Sequence, residues 1–356
     1  MLGIDRRAAS YTWTAAFVVL LLWLTYLMRT TLFVFIVALL FGYLLSPLVN
    51  IIDRLLPGKR TRTPALALAY VIFIALLFVG ITQIGARVVD EANSLAKSMP
   101  AKLAVATQPN PSLSPEVNSF KAQIFQKAQQ QLDKSAGDIL SALPRAGIRL
   151  LSIASDLIYV VVVPILGFFF LKDGGAMRRH LLGLIDDLGH RAVVDGLLAD
   201  VDLLLASYMR AILTLSLAAF VSYAIFFSIL QVPYAILLAA LAGALEFIPM
   251  IGPFSAGVMI LLVTGVSGGP LLGSLIFLLV YRVFQDYILS PMLMRAGMEL
   301  HPLLVLFGVF AGTELAGIPG AFLSVPVLAL LRILYFRARQ HRLVTTDISP
   351  EPVELP

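Results

Sequence analysis

Long uncharged stretches alternate with short charged connections along most of this chain. A helix needs roughly 20 apolar residues at 1.5 Å per residue to cross about 30 Å of hydrocarbon. Six stretches suit one span each, and two stretches, 233–263 and 302–335, are longer. The pattern predicts an all-α polytopic membrane protein with about eight hydrophobic segments, at 11–28, 31–52, 64–86, 150–171, 211–230, 233–263, 270–289 and 302–335.

The composition supports a membrane protein and excludes several other classes. Of the 356 residues, 59% are hydrophobic and only 13% are charged, too few charges for the surface of a soluble domain. The excess of 26 Lys and Arg over 21 Asp and Glu is small, so it suits topology signals and not nucleic-acid binding. Cysteine is absent, which excludes disulfides and thiolate metal sites.

The basic residues of the short connections orient the spans. Basic clusters before the first span, between the second and third spans and after the last span fall on one side, so we expect the N- and C-termini to be cytoplasmic. A 63-residue polar segment would then lie outside, with an amphipathic helix from Ser114 to Leu132. The predicted regions are 1–86 (helical hairpin and third span), 87–149 (extracytoplasmic, mostly helical), 150–171 (fourth span), 172–208 (cytoplasmic helices), 209–336 (transport core) and 337–356 (cytoplasmic tail).

The two longest apolar stretches are interrupted by similar sequences. AGALEFIPMIGP at 242–253 and AGTELAGIPG at 311–320 each place proline, glycine and a glutamate at membrane depth. Proline removes a backbone donor, and such breaks are tolerated in hydrocarbon only where protein or a wet cavity surrounds them. We therefore predict two re-entrant hairpins, in inverted relation, around a central transport site.

Charges at membrane depth cluster around these breaks. A charge there costs about 2.5 to 3.5 kcal/mol on insertion scales, so a functional or paired role is expected. Simpler roles remain open: Arg282 and Asp286, four residues apart, could neutralise each other, Arg210 could snorkel, and the glutamates could cap broken turns. The candidate translocation residues are Glu246, Pro249, Gly252, Pro253, Gln285, Asp286, Glu314, Pro319 and Gly320, with Arg210 and Arg282 as secondary candidates.

No enzyme motif accompanies these residues. The chain has no P-loop, its four histidines are scattered without metal spacing, and no Ser/His/Asp arrangement can be argued. The sequence predicts a protein that is not an enzyme and needs no cofactor or metal.

Several motifs together resemble the autoinducer-2 exporter family of bacterial and archaeal membrane proteins. The motifs are FFLKDG at 169–174, LEFIPMIGP at 245–253, QDYILSP at 285–291, LHPL at 300–303, GIPG at 317–320 and SVP at 324–326. The resemblance implies a permease-like transporter of small solutes in a prokaryotic inner membrane. Some relatives are linked to export of the furanone quorum-sensing signal and others to sodium or lithium/proton antiport.

Three functions follow as hypotheses. The first is an exporter of a small polar organic solute, such as the autoinducer-2 signal, driven by proton or cation exchange at Glu246, Glu314 and Asp286. The second is a sodium (lithium)/proton antiporter without an organic substrate. The third is a non-transporting membrane scaffold that recruits a partner through residues 90–143. The expected partners are the lipid bilayer, a solute, a proton or monovalent cation, and further copies of the chain in a homo-oligomer.

Overall fold

A computed structural model describes residues 6–56, 62–106, 114–116, 119, 123, 157–293 and 300–346. The chain divides into two units, one of Met1–Ala69 with Ile153–His180 and the other of Tyr70–Ser152 with Leu181–Pro356. Among the described residues, six helices are long and apolar enough to cross a membrane, and two shorter helices are also apolar. This confirms the all-α polytopic class.

The first unit is built from α1 (Arg6–Leu27), α2 (Arg29–Leu55), the start of α3 (Thr63–Val79) and most of α5 (Leu157–Gly183). Only Met28 separates α1 from α2, and helical hydrogen bonds cross it, from the Met28 N–H to the Leu24 carbonyl oxygen and from the Leu32 N–H to the Met28 carbonyl oxygen. The two helices therefore follow one another here without the turn of the predicted tight hairpin. Helix α5 packs against Gly42 of α2, where an added Cβ would be in van der Waals contact, 3.4 Å from the carbonyl oxygen of Gly167. Small residues at helix crossings let the backbones of membrane helices come close together.

In the second unit, α3 continues through a π-helical turn, Gly80–Gly85, into α4 (Ala86–Ala106). The longest uninterrupted helix, α6 (Leu188–Ile229), follows α5. Asp187 caps α6 by accepting hydrogen bonds from the backbone N–H groups of Gly189 (2.6 Å) and His190 (3.1 Å). The backbone and side-chain hydrogen bonds from His190 lower the pKa of the Asp187 carboxyl below its usual value.

The first interrupted stretch forms two short helices, α7 (Ala235–Leu245) and α8 (Ile251–Val266), joined by the turn 246–250. We name this pair hairpin 1. At 1.5 Å per residue α7 is about 16 Å long, roughly half the hydrocarbon thickness. Gly252 permits the tight return, since an added Cβ there would overlap the carbonyl oxygen of Leu245.

Helix α9 (Leu271–Phe284) leads away from hairpin 1, and one core cluster joins α6, hairpin 1 and α9. The sequence predicts a simple span over 270–289, but the structure shows α9 passing into a π-helical turn, Gln285–Leu289, and then α10 (Ser290–Leu293). The buried members of the cluster are Ala219, Tyr223, Phe227, Val232, Leu238, Ala239, Ala242, Ala256, Ile260, Val263, Phe277 and Tyr281.

The second interrupted stretch, α11 (Pro302–Thr346), is broken at Ala316 and at Gly317, whose φ is +64°. Its arms fold back on each other: Gly308 lies against Ser324 and Leu328, and Gly312 lies against Gly320. Contacts symmetric about one break are those of an antiparallel pair, which we name hairpin 2. Both interrupted stretches are therefore helical hairpins, while their re-entry into the membrane and their inverted relation stay predictions.

Part of the predicted organisation falls outside the described residues. The amphipathic helix from Ser114 to Leu132 lies mostly there, as do the start of the fourth span and the last ten residues of the chain. The fourth span is described only from Leu157, where α5 begins.

Candidate functional site

Glu246 lies at the turn of hairpin 1, directly after the last residue of α7. Only 8% of it is exposed, and its backbone N–H still donates to the carbonyl oxygen of Ala242. The break thus places a carboxylate inside the protein at the C-terminal end of a half-length helix. That end carries the negative pole of the helix dipole, so the carboxylate adds to a region that already attracts positive charge.

Gln285 is the hydrogen-bond partner of this carboxylate. Its Nε2 donates to Oε2 of Glu246 at 2.8 Å, and the glutamine side chain is itself buried, at 3% exposure. Gln285 opens the π-helical turn that follows α9. Single π-helical turns inside α-helices are frequent at functional sites.

One turn away, Arg282 and Asp286 form an ion pair along the same helix. Arg282 Nε donates to Oδ2 of Asp286 at 2.8 Å, and both side chains are 43% exposed. The two residues therefore form the ion pair that their spacing of four residues permits. Both side chains are partly exposed, in contrast to the buried pair beside them.

Backbone strain and two prolines mark the turn of hairpin 1. Met250 adopts φ +64°, a conformation that costs a non-glycine residue of order 1–3 kcal/mol and often occurs at functional sites. Pro249 lies within the turn, and Pro253 lies in the first turn of α8, where its missing N–H is not needed. These prolines thus fit the turn without leaving a helical hydrogen bond broken.

The backbone of α7 is supported from α6. Ser216 donates from its hydroxyl to the carbonyl oxygen of Gly243 at 2.6 Å. A Cβ at Gly243 would lie 3.0 Å from the carbonyl oxygen of Ser216 and from Cβ of Phe220. Because this glycine allows direct backbone contact, the half-helix that ends at Glu246 is held firmly against a complete span.

Hairpin 2 reaches the same region through aromatic side chains. Phe322, on its second arm, has its ring centroid 5.8 Å from that of Phe247, at the turn of hairpin 1, and 6.2 Å from that of Tyr208 on α6. The Tyr208 hydroxyl also donates to the Phe322 carbonyl oxygen at 3.4 Å. The turn of one hairpin therefore contacts an arm of the other.

The structure places Glu314 differently from Glu246. Glu314 lies next to the break of hairpin 2 and is exposed, and among the described residues no hydrogen bond or ion pair is formed by its carboxylate. Pro319 begins the second arm, and Gly320 lies against the backbone of Gly312. The two hairpins share the same glutamate and proline pattern, but only one of them buries the carboxylate.

Arg210, on α6, is exposed and donates from Nη2 to Oγ of Ser207 at 3.3 Å. No cluster of three or more His, Asp or Glu side chains suited to a metal ion occurs in the described part of the chain. The site is accordingly a pair of buried polar side chains with an exposed ion pair beside it.

Sequence reasoning finds the individual residues of this site but not their pairing. Glu246, Gln285, Arg282 and Asp286 stand out because polar groups are rare in apolar stretches. The contact between Phe247 and Phe322 carries no such signal, because aromatic residues are common in membrane helices. Nor does the sequence show which of the two glutamates the fold buries.

Comparison with known proteins places this arrangement in context. The family described as "AI-2E family transporter" matches residues 15–339. The "Putative transport protein YueF" of Bacillus subtilis is 25% identical over 85% of both chains. A "Putative transport protein" of Methanothermobacter thermautotrophicus is 26% identical over 82% of this chain and 83% of its own. The match to "Putative transport protein YrrI" of Bacillus subtilis, at 30% identity, spans 56% of this chain and about half (55%) of that relative.

Proposed function

Because the chain belongs to the AI-2E transporter family, we propose that it is a secondary transporter that exports a small polar organic solute in exchange for a proton or monovalent cation at Glu246. A role in membrane transport follows from the family and from the apolar helices. The solute, the direction and the coupling ion are the proposal. The observation that carries it is the buried hydrogen bond between Glu246 and Gln285.

The electrostatics of the turn support cation or proton coupling. When Glu246 is ionised, its negative charge lies at the negative end of the α7 dipole, and Gln285 supplies one neutral donor at 2.8 Å. Two negative features in a buried place favour the arrival of a positive charge. A coupling ion would neutralise the carboxylate. Release of the ion would restore the repulsion between the carboxylate and the negative end of the α7 dipole, so the site would have two states of different energy.

The broken helices support a site at membrane depth. Half-helices that end in the bilayer supply exposed backbone groups to substrates and coupling ions in secondary transporters. We propose that hairpins 1 and 2 re-enter the membrane from opposite faces and that the solute passes where Phe247 meets Phe322. Glu314, beside the other break, is proposed as a second carboxylate on the path of the ion.

The same carboxylate would serve a sodium or lithium/proton antiporter without an organic substrate, and one experiment separates the two functions. The purified protein is reconstituted into proteoliposomes with an imposed pH gradient, and flux of the furanone signal, of small metabolites and of sodium is measured. An exporter moves an organic solute in response to the gradient. An antiporter instead releases protons from acid-loaded vesicles when sodium or lithium is added. If the correctly inserted protein gives neither response, the proposal is contradicted.

A further inference from the structure

Helix α4 contacts hairpin 1 at the end opposite to Glu246. The Glu91 carboxylate of α4 accepts a hydrogen bond from the backbone N–H of Leu237, with 2.8 Å between Oε2 and N. Leu95 and Met99, further along α4, pack against the core cluster that includes α7 and α8. One face of α4 therefore packs along the end of hairpin 1 where α7 begins.

The contact of Glu91 satisfies a specific need of α7. Leu237 is the third residue of this helix, and the N–H groups of a first helical turn have no partner within the helix. Tyr234, the residue before the helix, has φ +63° and its side chain provides no cap. A carboxylate from another helix replaces the missing cap and also favours the positive end of the helix dipole.

Tyr234 is held by α4 as well. Its hydroxyl lies 2.8 Å from the Ser98 hydroxyl and accepts a hydrogen bond from Lys102 Nζ at 3.3 Å. The Lys102 ammonium also lies 5.3 Å from the centroid of the tyrosine ring. Three side chains on one face of α4, Glu91, Ser98 and Lys102, thus hold the residues where α7 begins.

The geometry links these contacts to the candidate site. Helix α7 has 11 residues, with the contacts at its first turn and Glu246 directly after its last residue. A helix this short moves as a rigid rod, so a displacement of its first turn also displaces Glu246 relative to Gln285 on the π-helical turn.

We propose that α4 is a latch on hairpin 1, formed by Glu91, Ser98 and Lys102, and that the latch must open for transport. Only the claim that the latch must open for transport rests on the proposed function. Glu91 is a positioning residue, since it acts through α7 and not by contact with a solute. The segment that the sequence analysis assigns outside the membrane core thereby gains a role in moving the core.

The first test detects the latch without any transport measurement. The chain has no cysteine, so Ser98→Cys provides a single thiol whose modification rate by a water-soluble maleimide reports opening. Glu91→Leu removes the cap, and loss of about 1.4 kcal/mol, within the range for helix N-caps, should raise the rate roughly tenfold. Glu91→Gln, which keeps an acceptor but no charge, should give an intermediate rate, and Glu91→Asp should stay nearest to the Ser98→Cys parent.

A matched control is Ser94→Ala in the same background, because Ser94 is exposed on α4. It should leave the rate unchanged. Equal rates for the Glu91→Leu variant and its parent, or an equal rise for the Ser94→Ala control, would overturn the latch.

The second test measures transport. A Ser98→Cys/Tyr234→Cys variant is joined by a short, reducible bis-maleimide. Flux should stop after cross-linking, return after reduction, and in the open form at least equal wild-type flux. Undiminished flux in the cross-linked protein would overturn the latch. If the wild type shows no flux at all, the proposed function fails instead, and the thiol modification rates alone decide whether α4 is a latch.

Discussion

The buried hydrogen bond of Glu246 gives a quantitative prediction for Gln285→Met. Methionine keeps the length of the glutamine side chain but has no N–H to donate, so the carboxylate of Glu246 loses its partner at 2.8 Å. Both residues are largely buried, at 8% and 3% exposure, so water does not readily replace the donor. A hydrogen bond to a charged group contributes about 1.5–3 kcal/mol.

This free energy converts to a measurable change in ion coupling. At 1.4 kcal/mol per factor of ten, the apparent affinity for the coupling ion should change by roughly 10- to 150-fold. We expect a gain of affinity, because the hydrogen bond from Gln285 stabilises the ionised, ion-free carboxylate, and its loss favours the ion-bound state. The assay is proteoliposome flux against the concentration of the coupling ion, with size-exclusion chromatography to confirm folding.

A matched control lies two residues further along the same π-helical turn. Tyr287 is 78% exposed, so Tyr287→Leu should leave the apparent affinity within about twofold of wild type. An unchanged affinity in folded Gln285→Met protein would refute the reasoning, because the hydrogen bond would then have no part in ion coupling. An equal gain in Tyr287→Leu would refute it as well, since any change in the turn would then suffice.

Two further predictions concern stability. Gly320→Ala should destabilise the protein by about 1–3 kcal/mol, because an added Cβ would overlap the carbonyl oxygen of Gly312 and push the arms of hairpin 2 apart. The control Gly257→Ala on α8, where a Cβ would have no neighbour within 4 Å, should leave stability unchanged. Thermal unfolding in detergent compares the two variants. Arg337→Ala should lower the free energy of unfolding by no more than about 1 kcal/mol, because the ion pair with Asp200, at 2.6 Å, is partly exposed. A loss larger than this, measured by thermal unfolding in high salt, would contradict the assignment.

The sequence is informative wherever apolar patterning is violated. Proline and glycine at 249–253 and 317–320 predict the two hairpins because a broken helix in a membrane needs a protein-lined return. The π-helical turn at Gln285 has no such marker, since neither proline nor glycine occurs in its five residues. The pairing of Glu246 with Gln285 joins residues that are 39 positions apart, so it depends on how α9 packs against hairpin 1.

The contacts of α4 illustrate a second limit of sequence reasoning. Glu91 and Lys102 resemble ordinary charged residues on a solvated amphipathic helix. Their partners are a backbone N–H of α7 and the hydroxyl of Tyr234, and neither partner leaves a pattern in the sequence. Only the tertiary structure distinguishes a cap supplied by another helix from an exposed carboxylate.

Ion-coupled solute flux through the Glu246→Gln variant in proteoliposomes tests the central claim most directly. The amide keeps the size of the side chain and can still pair with Gln285, but it carries no charge and cannot exchange a proton or bind a cation strongly. Our account predicts that this variant folds, inserts into proteoliposomes and shows no ion-coupled flux, while wild-type protein in parallel vesicles does. Ion-coupled flux at the wild-type rate in Glu246→Gln would contradict the assignment of Glu246 as the coupling carboxylate.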